Sequence, residues 1–140
     1  MSGLAYLLET NIIRGIIADP DGVVALRATQ WAGQAQKAQI CTSVVVQSEL
    51  HFGLRRKPSQ RLKLAYEVAM RLIDVLPLGD TVPPHYTSLR SQMEAAGTPL
   101  GSNDTLNSAQ ALAMGANLIS TDEAFTRVPG LRVENGLQAN

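Results

Sequence analysis

The feature that most constrains the fold is the alternation of short apolar runs with longer stretches in which apolar residues recur at helical spacing. The short runs are typical of buried strands, and the longer stretches are typical of amphipathic helices. We predict strands over residues 4–8, 40–42, 74–78, 116–120 and 131–134, and helices from residue 12, over 23–38, from 43, and over 59–71, 81–96 and 102–114. Strands that alternate with helices usually pair in parallel. The order therefore predicts a mostly parallel α/β sandwich.

Capping and breaking residues indicate where the helices begin and end. Thr10 or Asn11 is the expected cap of the first helix, and the Asp-Pro-Asp-Gly segment at 19–22 should end it. The three valines after Ser43 favour a strand, whereas the spacing of the later apolar residues favours a helix capped by Ser43. We adopt the helix.

Length and composition fit one domain, 1–140. Of the 140 residues 45% are hydrophobic, which is enough to build a core and excludes intrinsic disorder. Lys plus Arg and Asp plus Glu each number 12, and this zero net charge excludes a strongly basic nucleic-acid clamp. Cys41 is the only cysteine, so a disulfide framework and a cysteine zinc cluster are excluded. Its apolar strand predicts a buried thiol.

The N-terminal segment favours a soluble cytoplasmic protein. Residues 1–8 are apolar, but they lack a basic leader and are followed at once by Glu9, unlike a signal peptide. No stretch approaches the roughly 18 apolar residues of a membrane span. We therefore expect a cytoplasmic location and no contact with membranes.

Four acidic residues lie where a parallel α/β sheet binds ligands. Glu9 and Asp122 follow apolar strands, so both should lie at the carboxyl-end edge of the sheet, where such sheets form binding crevices. Glu49 lies on the third predicted helix, and Asp104 lies in the first turn of a later helix, with Asn107 on the same face. Taken singly, each acid is better explained as a helix cap favoured by the helix dipole. Taken together, the four favour a shared site.

Carboxylates gathered at one edge repel one another unless a counter-charge is present. A hard divalent cation such as Mg²⁺ or Mn²⁺ prefers oxygen ligands and usually takes one or two carboxylates directly. A cation of this kind supports phosphoryl transfer, because it neutralises the charge that develops on a phosphodiester. The residues alone therefore lead to the hypothesis of a metal-dependent site for phosphodiester cleavage.

Five segments occur in an order and spacing that resemble one known family. They are LLETNII at 7–13, SELHFG at 48–53, GTPLGSND at 97–104, LISTD at 118–122 and FTRVPGL at 125–131. The series resembles the PIN-domain ribonuclease toxins of the VapC family, which belong to bacterial toxin–antitoxin pairs. The segment around Asp104 and the terminal Arg-Val-Pro-Gly-Leu are the most specific parts of the resemblance, which spans roughly residues 4–135.

The resemblance implies a PIN-like three-layer α/β sandwich and a Mg²⁺-dependent endoribonuclease, with Mn²⁺ as a substitute. The implied substrate is a structured RNA, with tRNA and the initiator tRNA anticodon loop as the favoured targets. The implied partners are a second copy of the chain in a homodimer, a cognate VapB-type antitoxin and, through the antitoxin only, operator DNA. The implied catalytic and metal-binding residues are Glu9, Glu49, Asp104 and Asp122, and the polar residues expected around them are Thr10, Asn11, Ser43, Asn107 and Thr121.

One position departs from the family pattern. The family has aspartate where this chain has Glu9, so the carboxylate stands one methylene farther from the backbone. A displacement of about 1 Å can cost roughly 10²-fold in rate. The departure is compatible with natural tolerance, with a decayed toxin and with an engineered attenuation. The alternative function is therefore a catalytically impaired PIN protein that binds its antitoxin and, with it, operator DNA.

Basic residues form a second candidate surface. The stretch between Glu49 and Glu67 contains no acid, and its basic residues are Arg55, Arg56, Lys57, Arg61 and Lys63. This run fits a grip on RNA phosphates and a solvated helix end equally well. Arg90 is a candidate for contacting substrate or for pairing with a site acid, and a plain surface role fits it almost as well. His51 and His85 have no partner at metal-ligand spacing and are expected to be structural.

Overall fold

A computed structural model describes the backbone of residues 5–34 and 39–135, and the side chains of these residues except at 27, 29 and 31–34. Its strands are β1 (Ala5–Leu8), β2 (Gln39–Ser43), β3 (Asp74–Leu76), β4 (Asn117–Ile119) and β5 (Val133–Glu134). They form one sheet in the order β3-β2-β1-β4-β5, and every neighbouring pair is parallel. The parallel α/β arrangement predicted from the sequence is confirmed.

Helices cover both faces of this sheet. They are α1 (Thr10–Ala18), α2 (Val23–Gln34), α3 (Val44–Arg56), α4 (Gln60–Met70), α5 (Val82–Ala95), α6 (Ser102–Met114) and a 3₁₀ helix (Glu123–Arg127). The predicted helices are confirmed, although residues 35–38 of the second prediction, like residue 4 of the first strand, lie outside the described residues. Within the described residues, no helix is long and apolar enough to cross a membrane.

Alternate side chains of the central strand β1 pack into opposite layers. Leu8 packs with Ile12 of α1 and Val46 of α3, whereas Leu7 packs with Ala111 of α6, and all five side chains are fully buried. Successive side chains of a strand point to opposite faces of a sheet, so these contacts define a sheet between two helical layers. Each large aliphatic side chain buried in this way contributes about 1.5–3 kcal/mol.

The strand register brings the carboxyl ends of the central strands to one edge. Leu8 of β1 lies opposite Ile119 of β4, and the backbone N–H of Glu9 donates to the carbonyl oxygen of Ile119 at 3.0 Å. On the other side, Ser43 ends β2 opposite Leu76 of β3. Residues that directly follow β1, β2 and β4 therefore meet at this edge.

The start of α1 differs from the sequence prediction, because Glu9 caps the helix rather than Thr10 or Asn11. The Glu9 carboxylate accepts a hydrogen bond from the backbone N–H of Asn11 at 3.2 Å. β1 ends at the preceding residue, and Glu9 still has extended backbone angles (φ −81°, ψ 165°), which is the conformation of an N-cap residue. The predicted cap of α3 is confirmed, since Ser43 Oγ accepts from the backbone N–H of Val46 at 3.0 Å.

Two shorter features also differ. The 3₁₀ helix Glu123–Arg127 has no counterpart in the sequence prediction, because five residues are too few to show a helical period. Its cap is Asp122, whose Oδ1 accepts from the backbone N–H of Ala124 at 2.9 Å. β3 ends at Leu76 instead of 78, since Pro77 has no N–H to donate to a neighbouring strand.

Candidate active site

The structure brings the four predicted acids together at the carboxyl-end edge of the sheet. Glu9 follows β1, Glu49 lies on α3, Asp104 lies in the first turn of α6, and Asp122 caps the 3₁₀ helix. Glu9 interacts electrostatically with Asp104 and Glu49, and Asp104 interacts with Glu49 and Asp122. We call these four residues the acidic quartet.

Glu9 is the most buried member of the acidic quartet, with 6% of its surface exposed. Burial is the main cause that raises the pKa of its carboxyl group, and the carboxylates of Asp104 and Glu49 raise the pKa further. The hydrogen bonds from the backbone N–H groups of Asn11 and Thr10 act in the opposite direction. The net effect is a pKa above the ordinary value of a glutamate carboxyl group, and a nearby positive charge would lower that pKa.

Asp104 lies at the centre of the electrostatic interactions. Burial raises its pKa most, followed by the carboxylates of Glu49 and Asp122. Within the described residues, no Lys or Arg forms an ion pair with a member of the quartet, and the ion pair found there joins Arg90 to Glu94. A neighbouring positive charge would favour the ionised form of each carboxyl group. The quartet is therefore a cluster of carboxyl groups without a compensating Lys or Arg among the described residues.

A threonine connects two elements that carry the quartet. Thr10, which is 3% exposed, donates from its hydroxyl to Glu49 Oε1 at 3.2 Å. The bond ties the Glu49 carboxylate on α3 to the first residue of α1, directly after Glu9. The predicted polar position Thr10 thus lies within the acidic site and orients one of its carboxylates.

A hydroxyl that the sequence interpretation missed positions the fourth acid. Ser120, which is 2% exposed, accepts from the backbone N–H of Asp122 at 3.0 Å and from Asn11 Nδ2 at 3.4 Å. These bonds link the first turn of α1 to the loop that carries Asp122. The signal available in the sequence was a serine two residues before an acid, a spacing at which its hydroxyl can bond the backbone and form a turn.

The remaining predicted polar residues lie at the same edge. Ser43 Oγ donates to Asn107 Oδ1 at 2.7 Å, and both side chains are fully buried. Thr121 lines a cavity of about 370 Å³ together with Asp122 and Glu123. All five polar positions expected from the sequence therefore lie near the residues that carry the acidic quartet.

The residues present fit a hydrated hard cation better than a closed metal cage. Within the described residues, no three His, Cys, Asp or Glu side chains form a ready-made group for a metal ion. The Glu9 carboxylate bonds the start of α1, and the Glu49 carboxylate bonds Thr10. Mg²⁺ typically keeps several waters and takes one or two carboxylates directly. An all-oxygen quartet without a cationic partner suits that kind of ion, and in the part of the chain that the structure describes, Asn11 Oδ1 at the start of α1 is buried without a hydrogen-bond partner.

The structure divides the predicted basic run between two cavities. Arg55 and Lys63 line a cavity of about 560 Å³ between α3 and α4. Arg56 and Lys57 line an adjoining groove of about 410 Å³ beside α1, and Arg61 is exposed on α4. None of the five forms an ion pair with the acidic quartet within the described residues. The run is therefore distributed over two adjoining cavities, which share Leu54 and Tyr66, and the exposed surface of α4.

Three other predicted residues have local roles. Arg90 forms its ion pair with Glu94, one turn along α5, at 2.9 Å, rather than with a site acid. His51 Nε2 lies 2.9 Å from the hydroxyl of the buried Tyr66, in agreement with the expected structural role. The Cys41 thiol is fully buried, and burial raises its pKa to about 12. This confirms the expected buried thiol and keeps the thiol protonated at neutral pH.

Two features define the class of this protein. They are a three-layer α/β sandwich with a five-stranded parallel sheet and an acidic site at the carboxyl-end edge of that sheet. The family model of the PIN domain matches residues 6–131. The chain therefore belongs to the PIN-domain family, as the sequence resemblance implied.

The chain is also similar to individual proteins and to solved structures. Ribonuclease VapC2 of Rickettsia felis is 26% identical over 135 residues, which cover 94% of this chain and 98% of that protein. The tRNA(fMet)-specific endonuclease VapC of Salmonella typhimurium is 25% identical over 100 residues, or 70% of this chain and 76% of that one. The crystal structure of VapBC2 from Rickettsia felis, bound to a promoter DNA fragment, superimposes with a TM-score of 0.86 at 25% identity and covers 94% of this chain and 98% of that one.

Proposed function

We propose that this chain is the toxin of a VapBC-type toxin–antitoxin pair and acts as an endoribonuclease that depends on Mg²⁺, with Mn²⁺ as a substitute. The observation that carries the proposal is the convergence of four carboxylates from four elements at the carboxyl-end edge of a PIN-domain sheet. The names of the relatives, Ribonuclease VapC2 and tRNA(fMet)-specific endonuclease VapC, support the same activity.

Each member of the acidic quartet has a proposed role. Asp104 and Glu9 would hold the cation directly, and Glu49 and Asp122 would complete the pocket by metal contact or by accepting hydrogen bonds from the attacking water. When bound, the divalent cation supplies electrostatic stabilisation of the charge that develops on the phosphodiester. Thr10 keeps the Glu49 carboxylate in place, and Ser120 does so for the backbone of Asp122. In-line attack would leave a 5′-phosphate and a 3′-hydroxyl.

The proposed substrate is a structured RNA that is read at an exposed loop, because unpaired bases are accessible to protein side chains. The name of the Salmonella relative, tRNA(fMet)-specific endonuclease VapC, favours tRNA, and the anticodon loop of the initiator tRNA is the leading target. Arg55 and Lys63 line an open cavity in which a phosphate of such an RNA could be bound. The remaining basic candidates, Arg56, Lys57, Arg61 and Arg90, are proposed as weaker RNA contacts.

The proposed partner is a VapB-type antitoxin, which would also connect the toxin to operator DNA. The Rickettsia neighbour, a VapBC complex on promoter DNA, supports this assembly. A groove with apolar walls and a basic rim fits an antitoxin segment that carries apolar side chains and carboxylates. Its lining includes Ile17, Leu50, Leu54 and Tyr66, with Arg14, Arg56 and Lys57.

We also infer a homodimer in the cytoplasm. The exposed side chains of Leu64, Val68 and Leu72, which are spaced four residues apart, favour a surface that another protein chain covers.

Glu9 favours a second candidate function, in which the chain is a catalytically impaired PIN protein of a regulatory complex. The Glu9 side chain is one methylene longer than the family's aspartate, and its carboxylate accepts a hydrogen bond from the backbone N–H of Asn11 at 3.2 Å. In that position the carboxylate serves as a helix cap, and its distance to an ion held by Asp104 depends on this hydrogen bond. A protein of this kind would bind its antitoxin and operator DNA without cleaving RNA.

Incubation of the purified protein with total tRNA and Mg²⁺ separates these functions. We expect cleavage that stops with EDTA and in Asp104→Asn, while the exposed control variant Asp80→Asn cleaves normally. Cleavage that survives Asp104→Asn contradicts the assigned site. Activity that is absent in the wild type but present in Glu9→Asp establishes the impaired protein instead.

A further inference from the structure

A buried side-chain bond joins the two helices that carry Glu49 and Asp104. Ser43 ends β2 and caps α3, whereas Asn107 lies in the second turn of α6. The Ser43 hydroxyl donates to Asn107 Oδ1 at 2.7 Å across a sequence separation of 64 residues, and both side chains are fully buried. At this depth, water cannot replace the bond when it is broken.

The capping bond of α3 leaves the Ser43 hydroxyl hydrogen available for this hydrogen bond. Ser43 Oγ already accepts from the backbone N–H of Val46 at 3.0 Å. Its single hydroxyl hydrogen is therefore free to be donated, and the oxygen of the Asn107 amide is the acceptor. Among the residues that the structure describes, the amide nitrogen Nδ2 of Asn107 is then left buried without a hydrogen-bond partner.

The presence of an amide at this position is costly for the fold. A buried donor without a partner loses its hydration and gains nothing in return. An aliphatic side chain of similar size would fill the same space without that cost. The bond to Ser43 explains why an asparagine is present at this buried position of α6.

The bond lies close to the acidic quartet on both of the helices that it joins. Asp104 precedes Asn107 by three residues on the same face of α6, at about 4.5 Å along the helix axis. Glu49 follows Ser43 by six residues, at about 9 Å along α3. The bond therefore acts on the packing of the two helices that carry these carboxylates.

We propose that Asn107 is a positioning residue, which fixes α3 against α6 through Ser43 and so sets the separation of Glu49 and Asp104. The proposal rests on the proposed function, because the separation matters for the cation that these carboxylates would hold. Loss of a group that orients the metal-binding residues without binding the metal itself typically lowers metal affinity or activity by about 10- to 100-fold.

Isothermal titration calorimetry of Mn²⁺ binding to the purified chain measures this effect without RNA cleavage. We expect Asn107→Leu to weaken Mn²⁺ binding by about 10- to 100-fold while the variant still folds and unfolds cooperatively in urea. Ser43→Ala should weaken binding as well. The double variant should lose no more affinity than the weaker-binding single variant, because both changes remove the same bond.

Gln110→Leu is the matched control. Gln110 lies on the same helix, is 3% exposed and has an unpartnered Oε1, but its Nε2 donates to the carbonyl of Pro77 at 3.1 Å rather than to α3. We expect Gln110→Leu to bind Mn²⁺ like the wild type. If Asn107→Leu does not fold, Asn107→Ala also removes the acceptor and takes its place in the comparison.

Three results would overturn the proposal. Wild-type affinity in the Asn107 variant shows that the bond does not position the carboxylates. An equal loss in Gln110→Leu shows that the effect is general packing of α6. Both results leave the proposed function intact, whereas a wild-type protein that binds no Mn²⁺ overturns this proposal together with the proposed metal site.

Discussion

Shortening Glu9 to aspartate tests whether the extra methylene limits the proposed activity. The perturbation is small for the fold, because the extended backbone at Glu9 is the conformation in which aspartate is a preferred N-cap. Loss of one buried methylene costs about 0.8 kcal/mol, and a better cap returns about 0.5–1 kcal/mol. We therefore expect the free energy of unfolding to change by less than about 1 kcal/mol.

The effect on activity should be much larger than the effect on stability. Removal of one methylene retracts the carboxylate by about 1 Å, and a displacement of that size can change a rate by roughly 10²-fold. We expect Glu9→Asp to cleave tRNA about 10- to 100-fold faster than the wild type. Single-turnover cleavage at saturating Mg²⁺ measures this, with Glu9→Gln as the control that keeps the length and removes the charge. A Glu9→Asp variant that folds normally and cleaves no faster refutes the reasoning.

Three further predictions address charge and accessibility. Glu9→Gln should stabilise the metal-free protein more at neutral pH than below pH 4.5. The raised pKa of Glu9 means that ionisation of its carboxyl group lowers the stability of the folded state at neutral pH, and this cost is absent at low pH. Urea unfolding at both pH values checks this. Arg55→Gln and Lys63→Gln should each reduce the slope of log RNA affinity against log salt by about 0.7, and the exposed Arg71→Gln should not. Cys41, with its pKa raised to about 12, should react with a thiol reagent only after unfolding; an absorbance assay with and without guanidinium measures this.

The sequence was sufficient to predict which acids meet at the edge of the sheet. Glu9 and Asp122 follow apolar runs, and parallel pairing brings the ends of such strands together. The helix of Asp104 was predicted by its flanking glycines and apolar spacing. These inferences depend on local patterns and on a general rule of sheet topology, and both are encoded within short segments.

Contacts between distant segments could not be predicted in the same way. The bonds from Ser43 to Asn107 and from Asn11 to Ser120 join residues 64 and 109 positions apart. No periodic pattern in the sequence indicates such a hydrogen-bonded pair, because its geometry depends on how α1, α3 and α6 pack on the sheet. The cap of α1 was missed because glutamate is not among the preferred N-cap residues, so the local pattern favoured Thr10 or Asn11.

The central claim is that four carboxylates are held together at a cost that a divalent cation removes. Urea unfolding of the wild type and of Asp104→Asn at neutral pH, with and without Mg²⁺, tests it most directly. Without metal, the variant should be at least as stable as the wild type, because the raised pKa of Asp104 makes its ionised form unfavourable in the fold. At about 100 times the dissociation constant of Mg²⁺, the wild type should gain about 2.7 kcal/mol and the variant much less. A wild type that does not respond to Mg²⁺, or a variant that is less stable in metal-free buffer, would contradict the claim.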